Sequence, residues 1–148
     1  MVAWADLELL NDPCFSKVGV LPPKSKADYA YVLRGLQHLS EDGTMAVMLP
    51  TGALFRSAAE REIRKYLSEK QKIHAVIALP QGACNYTAIY TVLLIFKQKK
   101  SDQILFIDAS RDGVKNATRL KQNFLTEEGF TNLNFPLTKV GLYLENSI

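Results

Sequence analysis

The chain has 148 residues, 47% hydrophobic and 22% charged: one domain of ordinary globular composition, which excludes a disordered or collagen-like polymer. No apolar run approaches the roughly 18 residues that a bilayer crossing needs. The net charge of +3 tolerates a nucleic-acid partner but is too mild to call for one.

The first residues, Met1-Val2-Ala3-Trp4-Ala5-Asp6, hold no basic stretch followed by an apolar one, so no secretory leader is expected. Cys14 and Cys84 are far apart and in no metal-ligand spacing. Reduced thiols, no bound metal and a cytoplasmic location are expected.

Ser25-Lys26-Ala27-Asp28 pairs a capping residue with a carboxylate three positions on. Tyr29, Val32, Leu33, Leu36 and Leu39 then recur at helical spacing. Ser40-Glu41-Asp42-Gly43 ends that helix. Residues 44–49 are a nearly continuous apolar run closed by Pro50, which predicts a strand buried on both faces. A loop over 51–56 leads to Ser57-Ala58-Ala59-Glu60, a second capping box. The helix it opens places Ala59, Ile63, Tyr66 and Leu67 on one face and charges elsewhere. Residues 74–79 form the next apolar run, closed by Pro80. A polar loop leads to a run over 89–96 that ends in Lys97-Gln98-Lys99-Lys100, and residues 103–108 suggest one more short strand.

This order is α/β with a parallel crossover. The loop over 80–89 is too short for a helical crossover, so the strand after it should run antiparallel to its predecessor. Three segments are expected: a loop segment over 1–24, the core over 25–110, and an irregular or partly helical tail over 111–148.

Open α/β sheets bind ligands at the carboxyl ends of their strands. Those ends are Leu49-Pro50-Thr51-Gly52 and Leu79-Pro80-Gln81-Gly82, two loops of the same form. Proline and glycine equally serve to end a strand. No glycine-rich dinucleotide fingerprint or phosphate loop is present. His38 and His74 lack a nucleophile or metal-ligand companion, which favours structural roles. Lys97, Lys99 and Lys100, with the mildly basic residues 111–122, could meet a phosphate backbone; a solvated strand end is the simpler account.

The series of motifs from Asp12 to Ser110 resembles the modification (M) subunits of type I restriction-modification systems. It comprises Asp12-Pro13-Cys14-Phe15-Ser16, Lys24-Ser25-Lys26-Ala27-Asp28-Tyr29-Ala30-Tyr31 and Gly43-Thr44-Met45-Ala46-Val47-Met48-Leu49-Pro50. The Gly52-x-Leu54-Phe55-Arg56 loop, Glu60-x-x-Ile63-Arg64-Lys65-Tyr66-Leu67, Ala75-Val76-Ile77-Ala78-Leu79-Pro80 and Leu105-Phe106-Ile107-Asp108-Ala109-Ser110 follow in the same order. Each motif alone is weak; in series they are specific, over about two thirds of the chain.

The resemblance implies an S-adenosylmethionine-dependent adenine-N6 DNA methyltransferase, acting on DNA with specificity and restriction subunits. It implies a partial Rossmann-like sheet made of the last three strands, one antiparallel, with flanking helices and the residue-103 strand appended. It also implies that the cofactor loop and the Asn-Pro-Pro-Phe catalytic loop precede the matched part. The chain alone should then bind no S-adenosylmethionine, carry no catalytic or cofactor-binding residues and be inactive. It should self-associate or dock on the missing N-terminal half. Asp12-Pro13-Cys14-Phe15 imitates the catalytic loop, but the segment before it is polar and Cys14 replaces a proline. Thr51, Gly52 and Phe55 are expected to wall the target-base region, and Tyr86 to stack on the base. Where the family has an aromatic pair after the Leu-Pro turn, this chain has Cys84-Asn85; where the family has a proline, it has Tyr90. Two other functions stay open: a non-catalytic module that docks on methyltransferase or specificity subunits, and a small DNA-binding protein.

Overall fold

The computed structural model describes residues 7–70, 72–84, 88–100 and 103–111, with the strands at 113–115 and 123–125. The first ordered turn is a 3-10 helix over Leu7–Asn11, followed by the one-turn helix α1, Pro13–Ser16. Asp12 stands just before α1 with extended backbone, and its Oδ1 accepts the Cys14 amide at 2.8 Å. That amide hydrogen bond holds the Asp12 carboxyl below its usual range. Arg34 donates to the other oxygen at 3.0 Å. Cys14 and Phe15 are buried. The segment that imitates a catalytic loop is therefore a capped helix start, with its carboxylate engaged and its ring in the core.

Helix α2, Asp28–His38, buries Tyr29, Ala30, Val32, Leu33 and Leu36, the predicted stripe. Helix α3, Ala59–Glu69, buries Ile63 and Leu67. Neither predicted capping box forms. The residues before the two helices are Ala27 and Ala58, without side-chain caps. The carboxylates expected in those boxes, Asp28 and Glu60, are both bonded to Arg56 instead. Ala58 is left at φ 56°, ψ −136°, where glycine is at ease and alanine is strained. Ala58→Gly is expected to stabilise the fold by about 1 kcal/mol, since relief of strain outweighs the added chain entropy; urea denaturation checks this.

Strands β1 (Thr44–Pro50), β2 (Ile73–Ala78), β3 (Thr91–Lys97) and β4 (Leu105–Asp108) form one mixed sheet in the order β1-β3-β2-β4. β3 pairs antiparallel with both β1 and β2, from Pro50 opposite Thr91 to Thr44 opposite Lys97 on one side. The predicted reversal is thus present, and β1 and β2 run parallel to each other with β3 between them. β4 adds parallel to β2. A separate antiparallel pair, β5 (Gly113–Lys115) and β6 (Asn123–Leu125), lies within the segment read as irregular. The rest of that segment falls outside the described residues.

The register sorts the side chains into two faces. Met45, Val47 and Leu49 align with Phe96, Leu94 and Val92, and Val76 with Leu94. All of these pack with Val32, Leu36, Ile63 and Leu67 of the two helices. Gly35 allows α2 this close approach, since a Cβ there would lie 2.4 Å from Met45 Sδ. The other face carries Ala46, Met48, Leu93, Ile95, Ile77, Leu105 and Ile107, none of which joins that core. Met48 is 44% exposed. This corrects the reading of residues 44–49 as a strand buried on both faces. Among the described residues β1 is an edge strand covered on one face only, and an apolar run looks the same in both settings. No described helix is long and apolar enough to cross a membrane.

His74 opens β2 with its Nδ1 buried and unpartnered among the described residues. Burial, and then the Lys97 ammonium, hold its imidazole below the ordinary 6.5. The folded state resists a proton that the unfolded chain accepts. Stability present above pH 6.5 is therefore lost as the pH falls through that value toward the folded one. His74→Gln is expected to flatten this acid dependence when urea midpoints are compared between pH 7.5 and 5.5.

Candidate binding face at the strand ends

β3 begins between the carboxyl ends of β1 and β2. The Thr51 amide and hydroxyl both donate to the Tyr90 carbonyl, at 3.2 and 3.3 Å. Leu79 donates to the Thr91 carbonyl at 3.0 Å. The two Leu-Pro-x-Gly loops therefore share one end of the sheet, as the sequence predicts. Their glycines serve different needs. Gly82 sits at φ +77° inside a turn closed by Ala83 donating to the Pro80 carbonyl. Gly52 has no such conformation; a Cβ there would lie 3.0 Å from Arg56 Nε, so the glycine leaves room for the guanidinium.

Thr51–Leu54 make one 3-10 turn, and the amides of Phe55 and Arg56 both donate to the Gly52 carbonyl. Phe55 projects from this turn 77% exposed rather than packing in the core. Thr51, Gly52 and Phe55 are thus brought together. Tyr86 lies outside the described residues. Tyr90, the residue that stands where the family has a proline, is 52% exposed and its carbonyl meets Thr51, with Ile89 before it 58% exposed; neither is among the expected site residues. Their adjacency depends on the β1–β3 register, which no local pattern discloses.

Below the turn lies an ion network. Arg56 Nη1 donates to Glu60 Oε1 at 2.6 Å, and both Nη atoms reach Asp28 Oδ2 at 3.0 Å. Arg64 donates to the carbonyls of Ala53 and Arg56. The buried Tyr29 hydroxyl also donates to the Ala53 carbonyl, at 2.8 Å. Burial pushes the Tyr29 phenol up to about 12.

The candidates read as structural lie elsewhere. His38 is exposed at the end of α2. His74 and Lys97 sit at the opposite end of the sheet, where Lys97 donates its amide to the Lys72 carbonyl. Thr91 Oγ1 is buried without a hydrogen-bond partner among the described residues. Thr91→Val is expected to stabilise the chain by about 1 kcal/mol, read as a rise in calorimetric midpoint of a few degrees.

No cluster of His, Cys, Asp and Glu among the described residues could hold a metal. A nucleoside cofactor needs a carboxylate for its ribose hydroxyls. Asp28 and Glu60 are engaged by Arg56, and Asp108 accepts its own turn's Ser110 amide. Among the described residues, these three carboxylates are thus already engaged.

The family model described as N-6 DNA Methylase matches residues 1–135. The chain belongs to the N-6 DNA methylase family. It is 40% identical over 119 residues to the MpnII type I restriction enzyme methylase subunit of Mycoplasma pneumoniae, a match covering 77% of this chain and 22% of that relative. The crystal structure of a type I restriction-modification methyltransferase subunit from Streptococcus thermophilus superposes with a TM-score of 0.81 at 41% identity. It covers 86% of this chain and 27% of that one. The EcoKI M protein, at 21% identity and TM-score 0.61, shares the fold. The chain thus spans about a fifth to a quarter of its relatives' length. The sequence-stretch resemblance to M subunits of type I systems stands.

Proposed function

We propose that this N-6 DNA methylase chain is the C-terminal part of the catalytic domain of a type I adenine-N6 DNA methyltransferase subunit, inactive alone. The observation that carries this reading is the sheet itself. Among the described residues, an antiparallel strand lies between two parallel ones, the outer of which is an uncharged seven-residue edge strand, and the face turned away from the helices is apolar and only partly covered. Natural sheet edges are usually blunted by charge, bulges or cover, and Thr44–Pro50 contains no charged residue. The sheet thus reads as the last part of a Rossmann-like one. S-adenosylmethionine and the reacting loop belong to the remainder of the subunit, and DNA, specificity and restriction subunits are the partners of the whole. Thr51 and Phe55 face the target base; Gly52 supports them from behind.

Two measurements test this. Titration calorimetry of the chain with S-adenosylmethionine is expected to show no binding, and labelled methyl transfer to unmethylated duplex DNA none above background. A polypeptide carrying the N-terminal part of the Mycoplasma pneumoniae relative is expected to form a stoichiometric complex with the chain and restore both. Tight cofactor binding by the chain alone overturns the reading. On its own the chain is expected to self-associate in light scattering through the bare edge.

The partly covered apolar face also suits a second reading, a non-catalytic module that docks on methyltransferase or specificity subunits. It predicts the same complex without restored methyl transfer.

A further inference from the structure

We propose that Arg56 is a positioning residue: through Asp28 and Glu60 it fixes the turn over 51–55 so that Phe55 is displayed as a rigid stacking surface for a nucleobase. The proposal rests on the methyltransferase reading, which supplies the base.

Exposed phenylalanines ordinarily sit on segments with few constraints. Phe55 is 77% exposed, yet its turn is tied from every side. The Gly52 carbonyl accepts two amides. The Ala53 carbonyl accepts both Arg64 and the Tyr29 hydroxyl. The Arg56 carbonyl accepts Arg64. The Arg56 side chain joins the first turn of α2 to α3, with Glu60 only 2% exposed. Just beyond, Ala58 bears a strained backbone. None of these bonds buries Phe55. Their joint effect is to hold an aromatic ring in solvent at the sheet end, on the turn whose Thr51 bonds the Tyr90 carbonyl. A flat ring gains most from stacking when the platform is already ordered, because no loop entropy is lost on binding. An arginine fork between two carboxylates is suited to such a clamp, since its donors are fixed in one plane.

The test places a lone indole at the tip. In a Trp4→Phe background, Phe55→Trp carries the chain's single tryptophan. It is expected to combine high anisotropy with ready quenching by acrylamide. Arg56→Gln, and separately the milder Asp28→Asn, should lower that anisotropy while circular dichroism stays native. Arg56→Lys should restore part of it. Anisotropy unchanged in both Arg56→Gln and Asp28→Asn overturns the clamp. A single-stranded oligodeoxynucleotide carrying 2-aminopurine in place of adenine probes the ligand. The chain should quench it, and Phe55→Ala should weaken binding about tenfold. A rigid indole without quenching overturns the nucleobase, and with it the reading of this face. Quenching that survives Arg56→Gln undiminished overturns the positioning role and leaves the methyltransferase reading standing.

Discussion

Replacing Phe96 with alanine is expected to cost about 4 kcal/mol, a large share of the stability of an ordinary small domain. The ring is fully buried on β3, the strand flanked by β1 and β2. It stands in register with Met45 on one side and Ile73 on the other and joins the cluster that holds Ile63 and Leu67. Strands on both sides and helices above leave the walls of the hole little room to close, so the cavity cost adds to the lost transfer free energy. Phe96→Leu keeps most of the volume and should cost less than about 1.5 kcal/mol. Urea denaturation followed by far-ultraviolet circular dichroism separates the two. An alanine variant as stable as the leucine one would mean that the core relaxes far more than its strand pairing allows.

Glu60→Ala is expected to cost about 3 kcal/mol, for a different reason. Glu60 is nearly fully buried and bonds Arg56 at 2.6 Å. Removing one member of a buried pair leaves the other charge uncompensated, which is worse than removing both. The cost stays at the lower end of the range because Arg56 keeps Asp28 and its side chain is 17% exposed. The double replacement Arg56→Met with Glu60→Leu should therefore recover much of the loss, since Asp28 is free to turn toward water. Four urea curves, for the parent, Arg56→Met, Glu60→Leu and the double, give the coupling directly.

Much of this architecture is legible from local chemistry. The apolar spacing of Tyr29, Val32, Leu33 and Leu36 marks the face that α2 buries, and Ile63 and Leu67 do the same for α3. The short Pro80–Ile89 connection is enough to reverse β3. What local chemistry misses depends on distant partners. Ser25 and Ser57 look like helix caps because the pattern sees only three residues ahead; Arg56 claims the carboxylates of both boxes from outside that window. Phe15 and Phe55 are the same residue type, yet one is buried under α2 and the other stands in solvent. That difference is set by which residues hold the turn beneath Phe55. The strand over Thr44–Pro50 reads as doubly buried because its composition records that it is apolar, not how many neighbours it has.

The insertion of β3 between β1 and β2 has a consequence for biosynthesis. The two earlier strands sit roughly 10 Å apart with one strand's width between them, so neither can zip onto the other while the ribosome is still making Thr91. Every backbone bond in the three-strand ladder waits for β3, which closes a short connection onto β2 and a much longer one onto β1. A nascent chain stalled before Thr91 has two helices and no three-strand ladder to lay them on. The ladder closes only once its third strand is free to pair.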